Sequence, residues 1–223
     1  MLERIYLASL RSSWGWQLED DAALERVETV AAKGEPVAVY QDAGRRDWWK
    51  PLGAWPHSFE RIVEWPNASR WSAIVAISDR VLPPPPRELE DATLIFRPPT
   101  LTLGIASRRG VSGDEVDECV TALFQKSQLC PCSLTALASL SSRKDELGLI
   151  DFTEERQIPF LTYAPDKLAL LPRGARVTGT RRKLHLADVC EPAAMLAAGA
   201  RDVVVKKTIF PRMTLAVARR ATG

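Results

Sequence analysis

The sequence predicts an α/β protein of two domains, each a small, mostly parallel sheet flanked by helices. Short apolar runs of strand length alternate with amphipathic stretches of helix length, the order that gives parallel sheets covered by helices. The chain has 223 residues, enough for two domains of ordinary size. All seven tryptophans lie in its first third and all four cysteines in its second half. The two parts therefore differ in composition as well as in position.

The sequence of the first part, residues 1–97, predicts helices and four short strands. An apolar repeat at helical spacing occupies residues 2–10, and a longer amphipathic stretch with acids in its first turn predicts a helix over residues 19–33. Compact apolar runs of strand length lie at residues 36–40, 62–65, 73–77 and 94–96. The first run leads into a polar turn, QDAG at residues 41–44, where an α/β fold presents its loops.

Pro98 and Pro99 mark the boundary between the two parts, because consecutive prolines stop both a helix and a strand ladder. The tryptophans all precede these prolines and the cysteines all follow them, so the change in composition agrees with this boundary. We therefore expect a remnant helix at residues 1–18, a central domain at residues 19–97 and a second domain at residues 98–223.

The second part repeats the alternation of strands and helices. Ser112 and Glu115 have the spacing of a capping box and predict the start of its first helix. The predicted helices cover residues 112–128, 145–157 and 187–198. The predicted strands cover residues 101–105, 135–140, 159–163, 203–207 and 214–218. The last two strands follow each other closely and predict a hairpin-like pair.

Charge is distributed unevenly along the chain. The formal net charge of +2 is too small for a general nucleic-acid or membrane binder. Residues 1–97 carry −3 and residues 98–223 carry +5, and residues 172–223 hold eleven Lys or Arg against three acids. This excess fits either an anionic ligand or a solvated basic face. No apolar run has the length of a membrane span and no signal-peptide pattern opens the chain, so we expect a cytoplasmic protein with reduced thiols.

Metal and serine-nucleophile sites are poorly supported by the sequence. Cys130 and Cys132 are too close for the usual Cys-x2-Cys zinc half-site, and His185 with Cys190 is a single loose pair. No Gly-x-Ser-x-Gly motif is present, and His57 and His185 are the two histidines of the chain. We expect no protein-bound metal.

The stretch from Gly104 to Ser112 has a strand before it and a helix after it. Backbone amides and a helix N-terminus hold anions at such positions, although a purely structural turn fits the glycines equally well. The segment 141–146, with Lys144, follows the next predicted strand and would share the same sheet edge. Lys206 ends or exits a later strand.

Several segments together resemble the cobalamin-biosynthesis G proteins, CbiG, and their shorter relative CobE. Those resembling the central domain are GEPVAVYQDAG at residues 34–44 and ISDR at residues 77–80. Those resembling the C-terminal domain are RPPTLTLGI at 97–105, RRGVS at 108–112, KDELGL at 144–149, VCEPAA at 189–194 and TLAVAR at 214–219. Their order and spacing carry the resemblance. The family's turn usually reads Gly-x-Gly-Cys-x-x-Gly-Thr-Ser, whereas this chain has Ala106-Ser107 and Val111.

The resemblance implies a hydrolase acting on a carbon–carbon bond, which opens the δ-lactone of cobalt-precorrin-5A and releases acetaldehyde. The substrate is an anionic cobalt-corrinoid, and no cofactor is implied beyond the cobalt that this substrate carries. Lactone opening and fragmentation need bases or proton carriers, and the candidates are Glu191, Lys144 and Asp79. The candidate substrate-binding residues are Gly104, Ser107, Arg108, Arg109, Gly110, Ser112 and Lys206.

Two alternatives stay open at this point. A carrier like CobE would bind a cobalt-corrinoid and pass it on without a catalytic base. A nucleic-acid-binding module would use the basic C-terminal part and would bind arbitrary duplexes with a steep salt dependence. The resemblance also implies that a further N-terminal domain precedes residues 1–18 in typical hydrolases of the family. Partners are then other cobalamin-biosynthesis enzymes or a separate N-terminal domain.

Overall fold

The computed structural model describes residues 6–67, 70–170 and 189–220. The chain divides into two compact units that part between Pro99 and Thr100. Each unit has its own five-stranded sheet flanked by helices. The predicted α/β class is confirmed, with the difference that each sheet is mixed and combines parallel with antiparallel pairs.

The sheet of the first unit has the strand order β1-β5-β4-β2-β3. Its strands are β1 (Gln17–Leu18), β2 (Val37–Gln41), β3 (Phe59–Ile62), β4 (Ala73–Ile77) and β5 (Thr93–Arg97). Strand β2 runs parallel to β3 and β4, and β4 runs parallel to β5. Strand β1 pairs antiparallel with β5 at the sheet edge. Its helices are α1 (Ser9–Trp14) and α2 (Leu24–Ala32).

Strand β4 is buried along its whole length because both faces of the sheet are covered. Val75 and Ile77 face a core that also holds the fully buried Trp48. Ile74 and Ala76 face a smaller cluster on the other side of the sheet. The continuous apolar run of the sequence is therefore explained by burial on both faces.

Three boundaries in the first unit differ from the sequence prediction. Strand β3 comes three residues earlier than the predicted run, and Trp65 instead packs edge-on against Tyr40 with ring centroids 5.6 Å apart. Helix α2 begins at Leu24 and not at residue 19. Helix α1 begins at Ser9, and the buried Leu7 and Leu10 belong to the core of this unit.

The sheet of the second unit has the order β8-β7-β6-β10-β9. Its strands are β6 (Leu101–Ser107), β7 (Leu134–Leu140), β8 (Phe160–Tyr163), β9 (Val203–Ile209) and β10 (Met213–Arg219). Its helices are α3 (Gly113–Lys126), α4 (Leu147–Glu155), α5 (Pro165–Ala169) and α6 (Cys190–Ala198). Strands β6, β7 and β8 are parallel neighbours, whereas β10 is antiparallel to both β6 and β9. The predicted terminal hairpin is thus confirmed.

Helices cover both faces of the second sheet. Leu103 and Ile105 of β6 lie in the core cluster that α3 and α4 complete. Ala106, two positions from Gly104 along the strand, faces Val189 and Ala193 at the start of α6. Since the C-terminal part of α6 packs near the opposite end of the sheet, against Ala218, this helix begins beside the carboxyl edge of β6.

None of the helices in the described residues is long and apolar enough to cross a membrane. Helix α5 was missed by the sequence reading because it spans only five residues. The predicted helix over residues 187–198 is present from Cys190 onward, and its first residues, 187 and 188, lie outside the described part. His185 and the basic residues at 173–183 lie outside it as well.

Candidate functional site

The most distinctive polar feature of the second unit is the turn that follows β6. Strand β6 ends at Ser107, and α3 begins at Gly113. The predicted capping box is confirmed: the Ser112 hydroxyl accepts from the Glu115 amide at 3.1 Å, and the Glu115 carboxylate accepts from the Ser112 amide at 2.9 Å. The turn thus lies at the carboxyl edge of a parallel strand, directly before a capped helix N-terminus. We refer to residues 108–112 as the β6–α3 turn.

Arg212, from the loop between β9 and β10, braces this turn from one side. Its guanidinium donates to the carbonyls of Arg109 and Gly110 at 3.0 and 3.1 Å and pairs with Glu115 at 3.0 Å. Its own carbonyl accepts from the Arg108 amide at 2.8 Å. Three hydrogen bonds therefore fix the backbone of the turn, and the ion pair with Glu115 holds the Arg212 side chain in place.

Glu146 engages the turn from the other side. Its carboxylate accepts from the Gly110 amide and lies 4.0 Å from the Arg143 guanidinium. Both side chains are mostly buried, and the Arg143 Nε has no hydrogen-bond partner among the described residues. The amides of Arg108 and Gly110 thus already donate to protein acceptors and are not free to hold a bound anion.

The side chains of Arg108 and Arg109 are exposed. In the described part of the chain, neither guanidinium has a hydrogen bond or an ion pair. Ser107 is fully buried at the end of β6, and its hydroxyl has no partner among the same residues. The turn therefore combines a fixed backbone with two guanidinium charges that pair with no carboxylate among the described residues.

The two proposed proton carriers of the second unit lie in different surroundings. Lys144 is exposed beyond the carboxyl end of β7, next to a 3-10 turn at Ser141–Arg143. Glu191 is half-buried in the first turn of α6, and its carboxylate accepts from the Lys207 amide at 2.8 Å. No hydrogen bond or ion pair between described residues joins Glu191 to Lys144. Lys206, on the edge strand β9, is exposed.

Gly104 has a packing role in the structure. An added Cβ would lie 1.9 Å from the Cys190 carbonyl oxygen and 2.8 Å from the Ala194 amide nitrogen. Glycine therefore allows the backbone of α6 to approach β6 closely. Of the glycines proposed for substrate binding, Gly110 is the exposed one.

Asp79 belongs to the first unit, where it follows β4 and is fully buried. The neighbouring carbonyls of Ser78 and Arg80 accept from the buried Arg97 guanidinium, which also pairs with Glu19. Asp79 therefore lies next to a polar network that holds the carboxyl ends of β4 and β5.

No group of three or more potential metal ligands occurs within the described ranges. Cys190, the first residue of α6, is buried, and this burial raises the pKa of its thiol to about 11. A thiol with such a pKa stays protonated at neutral pH and is a poor ligand and nucleophile.

The sequence reading missed Arg212, Glu146 and Arg143 as parts of this site. Arg143 and Glu146 belong to segment 141–146, which the sequence predicts at the same sheet edge. Their place near the turn could therefore have been predicted. No sequence pattern indicates that Arg212 reaches the turn. Its position depends on the register between β10 and β6, where Met213 pairs with Ser107.

Comparison with known proteins gives two family matches that together span most of the chain. Residues 101–218 match the family described as cobalamin synthesis G C-terminus, and residues 12–98 match the cobalamin biosynthesis central region. A cobalt-precorrin-5A hydrolase from Priestia megaterium is 26% identical over 208 residues, which cover 92% of this chain and 55% of that protein.

Two solved structures are also similar to this chain. A cobalamin biosynthesis protein G homologue from Sulfolobus solfataricus has a TM-score of 0.47 and 13% identity, with 97% of this chain and 60% of that chain covered. CobE, a protein from the cobalamin (vitamin B12) biosynthetic pathway, has a TM-score of 0.44 and 26% identity, with 56% of this chain and 94% of that chain covered.

Proposed function

Because the chain belongs to the cobalamin synthesis G family, we propose that it binds an anionic cobalt-corrinoid and opens the δ-lactone of cobalt-precorrin-5A. The membership confirms the resemblance noted in the sequence and supports a role in cobalamin biosynthesis. The hydrolase relative supports the specific reaction, although this chain spans about half of that relative's length, 55%. Other cobalamin-biosynthesis enzymes, or a separate N-terminal domain, are the proposed protein partners.

The single observation that carries the binding proposal is that the guanidinium groups of Arg108 and Arg109 pair with no carboxylate among the described residues. A corrinoid at this stage of synthesis carries a ring of acetate and propionate groups, and guanidinium binds carboxylate with both charge and orientation. Since Arg212 and Glu146 fix the turn, little backbone ordering is needed when these arginines engage a substrate.

The reaction requires a hydrolysis and then a fragmentation. Water adds to the lactone carbonyl and the ring C–O bond breaks, which leaves a carboxylate and an alcohol. A base removes the alcohol proton, the C–C bond breaks, acetaldehyde leaves, and the macrocycle carbon that carried it gains a proton. Glu191, Lys144 and Asp79 are the proposed proton carriers, and Glu191 retains one carboxylate oxygen beyond its bond to the Lys207 amide.

A non-catalytic corrinoid carrier is the second candidate function. The observation that favours it is the absence of any described hydrogen bond or ion pair between Glu191 and Lys144. Binding to Arg108 and Arg109 would require neither of these groups. A carrier would therefore keep the affinity and lack the release of acetaldehyde.

The two functions are separated by incubating the chain with cobalt-precorrin-5A and measuring both bound corrinoid and free acetaldehyde. Acetaldehyde that falls to background in Glu191→Gln, at unchanged corrinoid affinity, supports the hydrolase with Glu191 as a proton carrier. Tight binding without acetaldehyde refutes the hydrolase and supports the carrier. Absence of binding refutes both.

The binding surface is tested with the double variant Arg108→Ala/Arg109→Ala. We expect corrinoid affinity to fall by about tenfold or more, since two charge-assisted contacts are lost. The free energy of unfolding should stay unchanged, because both side chains are exposed. The matched control is Lys126→Ala/Arg201→Ala, which also removes two exposed positive charges but at the opposite edge of the same sheet. Equal losses in both variants would indicate general charge attraction and contradict the assignment.

A further inference from the structure

Arg143 is a mostly buried arginine whose guanidinium makes no hydrogen bond to any described residue. It ends the 3-10 turn Ser141–Arg143 directly after β7, and its side chain is 10% exposed. Its one ion pair in the described part of the chain is with Glu146 at 4.0 Å, well beyond the roughly 2.8 Å of a charge-assisted hydrogen bond. A guanidinium carries N–H donors on all three nitrogens, and burying them without acceptors is costly.

Arg97 shows how the same chain holds a buried guanidinium for a structural purpose. Its side chain is 3% exposed, pairs with the Glu19 carboxylate and donates to the carbonyls of Ser78 and Arg80. Arg143 has no comparable acceptor among the described residues. A buried charge without acceptors is typical of functional sites, where a ligand completes the hydrogen bonds.

The Arg143 guanidinium can be reached at one end only. Its Nε is closed to solvent, whereas Nη1 and Nη2 keep contact with solvent. A ligand oxygen can therefore approach the two terminal nitrogens but not Nε. A carboxylate fits this approach, because its two oxygens match the spacing of two parallel N–H donors.

The position of this guanidinium relative to the β6–α3 turn follows from Glu146. One carboxylate oxygen, Oε2, lies 4.0 Å from Arg143 Nη1, and the other, Oε1, accepts from the Gly110 amide. The Glu146 amide also donates to the Arg143 carbonyl at 3.1 Å, which holds the two residues together. Arg143 thus lies one carboxylate group away from the turn that carries Arg108 and Arg109.

We propose that Arg143 is a third carboxylate-binding arginine of this site and that its terminal nitrogens bind one acetate or propionate group of the corrinoid. The identity of the ligand rests on the proposed function, whereas the carboxylate site itself rests on the contacts of Arg143. The exposed Arg108 and Arg109 attract any polyanion, and solvent screens their charges. The buried Arg143 distinguishes a carboxylate from an amide or an ester, because a neutral group would leave its charge uncompensated in surroundings of low polarity.

The carboxylate site is tested with acetate, which is the binding group of the substrate in isolation. The whole chain is titrated with sodium acetate, acetamide and sodium chloride, and the NMR signal of the Gly110 amide reports on its Glu146 acceptor. We expect a saturable shift with acetate alone, because acetamide is neutral and chloride lacks the two oxygens that match a guanidinium edge. An equal shift with chloride would indicate an adventitious ion only. That result, or the absence of an acetate shift, overturns the proposal.

Two variants assign the acetate to its arginine. The acetate shift should disappear in Arg143→Met, whose new side chain is unbranched and uncharged. It should remain in Arg108→Ala/Arg109→Ala. The reverse pattern would place acetate on the exposed pair and would overturn the proposal.

Corrinoid affinity tests the role of Arg143 in the substrate complex. Arg143→Met should weaken the binding of cobalt-precorrin-5A by about tenfold or more. Its matched control, Lys126→Met, removes one exposed positive charge at the opposite edge of the sheet and should have a smaller effect. Equal effects of the two variants would contradict a contact between Arg143 and the substrate.

Glu146→Gln gives a prediction of opposite sign. Its amide oxygen can still accept from the Gly110 amide, but it no longer competes with the substrate for the Arg143 charge, so corrinoid affinity should rise by about threefold or more. Asp145→Asn removes an exposed negative charge from the preceding residue and is the control. An affinity that rises no more than in this control would contradict the proposal.

Unfolding experiments separate the binding role of Arg143 from a structural one. Arg143→Met/Glu146→Gln replaces a mostly buried pair of charges by neutral side chains. It should be at least as stable in urea as the parent, because a contact of 4.0 Å offsets little of the cost of burying both charges. A loss of stability in this variant, together with unchanged corrinoid affinity in Arg143→Met, would make Arg143 a structural residue and overturn the proposal.

Failure of this inference and failure of the proposed function give different results. A chain that binds acetate through Arg143 but does not bind cobalt-precorrin-5A would refute the corrinoid as the ligand and retain the carboxylate site. A chain that binds the corrinoid equally well with and without Arg143 would refute this inference alone.

Discussion

The guanidinium of Arg212 lies 3.0 and 3.1 Å from the two carboxylate oxygens of Glu115, a residue 97 positions earlier in the chain. The same carboxylate accepts from the Ser112 amide in the capping box of α3. One side chain thus caps a helix and anchors the loop between β9 and β10. The Ser112 amide, followed by the Arg212 guanidinium, lowers the pKa of Glu115.

This lowered pKa predicts a specific loss of stability in acid. A carboxyl group whose pKa is lower in the folded state contributes stability above its ordinary value, 4.5, and loses that contribution as the pH falls through the folded value. Glu115→Gln should therefore be less stable than the parent at pH 7, by a difference that shrinks below pH 4.5. Urea unfolding across this range measures it. Glu118→Gln, an exposed position on the same helix, is the control, and a constant difference for Glu115→Gln would contradict the assignment.

Gly104→Ala should destabilise the second unit by about 3 kcal/mol, because the new Cβ would collide with the backbone of α6. Thr102→Ala changes the same buried strand two residues away without adding an atom, and it should cost about 1 kcal/mol. Chemical denaturation of both variants measures the difference. A Gly104→Ala variant as stable as the parent would mean that α6 can move away from β6 at little cost.

The four cysteines should differ sharply in reactivity. Cys132 is exposed, whereas Cys190 is buried with a pKa of about 11. In the native chain at pH 8, iodoacetamide should modify Cys132 well before Cys190, which should react only after unfolding. Mass spectrometry of the labelled peptides gives the order. Early labelling of Cys190 would show that the start of α6 opens readily.

Arg97→Lys should destabilise the first unit by about 2 kcal/mol, although the charge is kept. The buried Arg97 guanidinium donates at the same time to Glu19 and to the carbonyls of Ser78 and Arg80, and one ammonium cannot reproduce this fork. Thermal unfolding measures the loss. The exposed ion pair of Arg26 with Asp91 is the comparison: Arg26→Lys should be nearly neutral.

Sequence pattern was sufficient where burial alone decides structure. Strand β4 at Ala73–Ile77 was predicted at its observed bounds, because a strand covered on both faces is a continuous apolar run. Strand β1 was missed since two residues, Gln17 and Leu18, carry no period, and it exists through its pairing with β5. The run ending at Trp65 was placed three residues too late: Ile62 is the last residue of β3, Val63 is exposed, and Trp65 packs on Tyr40 from outside the ladder.

The candidate site likewise has features that the sequence predicts and contacts that it does not. The β6–α3 turn was predictable, because a strand, glycines and a capping box follow one another locally. The contacts of Arg212 and Glu146 with that turn were not, since they join segments that are distant in sequence.

The pairing of β6 with β10 also determines when the second unit can form during synthesis. Ser107 pairs with Met213, so the central strand of this sheet has no partner on that side until more than a hundred further residues have left the ribosome. All strands of the first unit are complete by Arg97, which allows that unit to fold while the rest is still being made. During the interval Leu103 and Ile105 lack part of their cover, because Leu215 and Val217 of β10 share their core. The nascent second unit is therefore the part of this protein with the greatest need of chaperone protection.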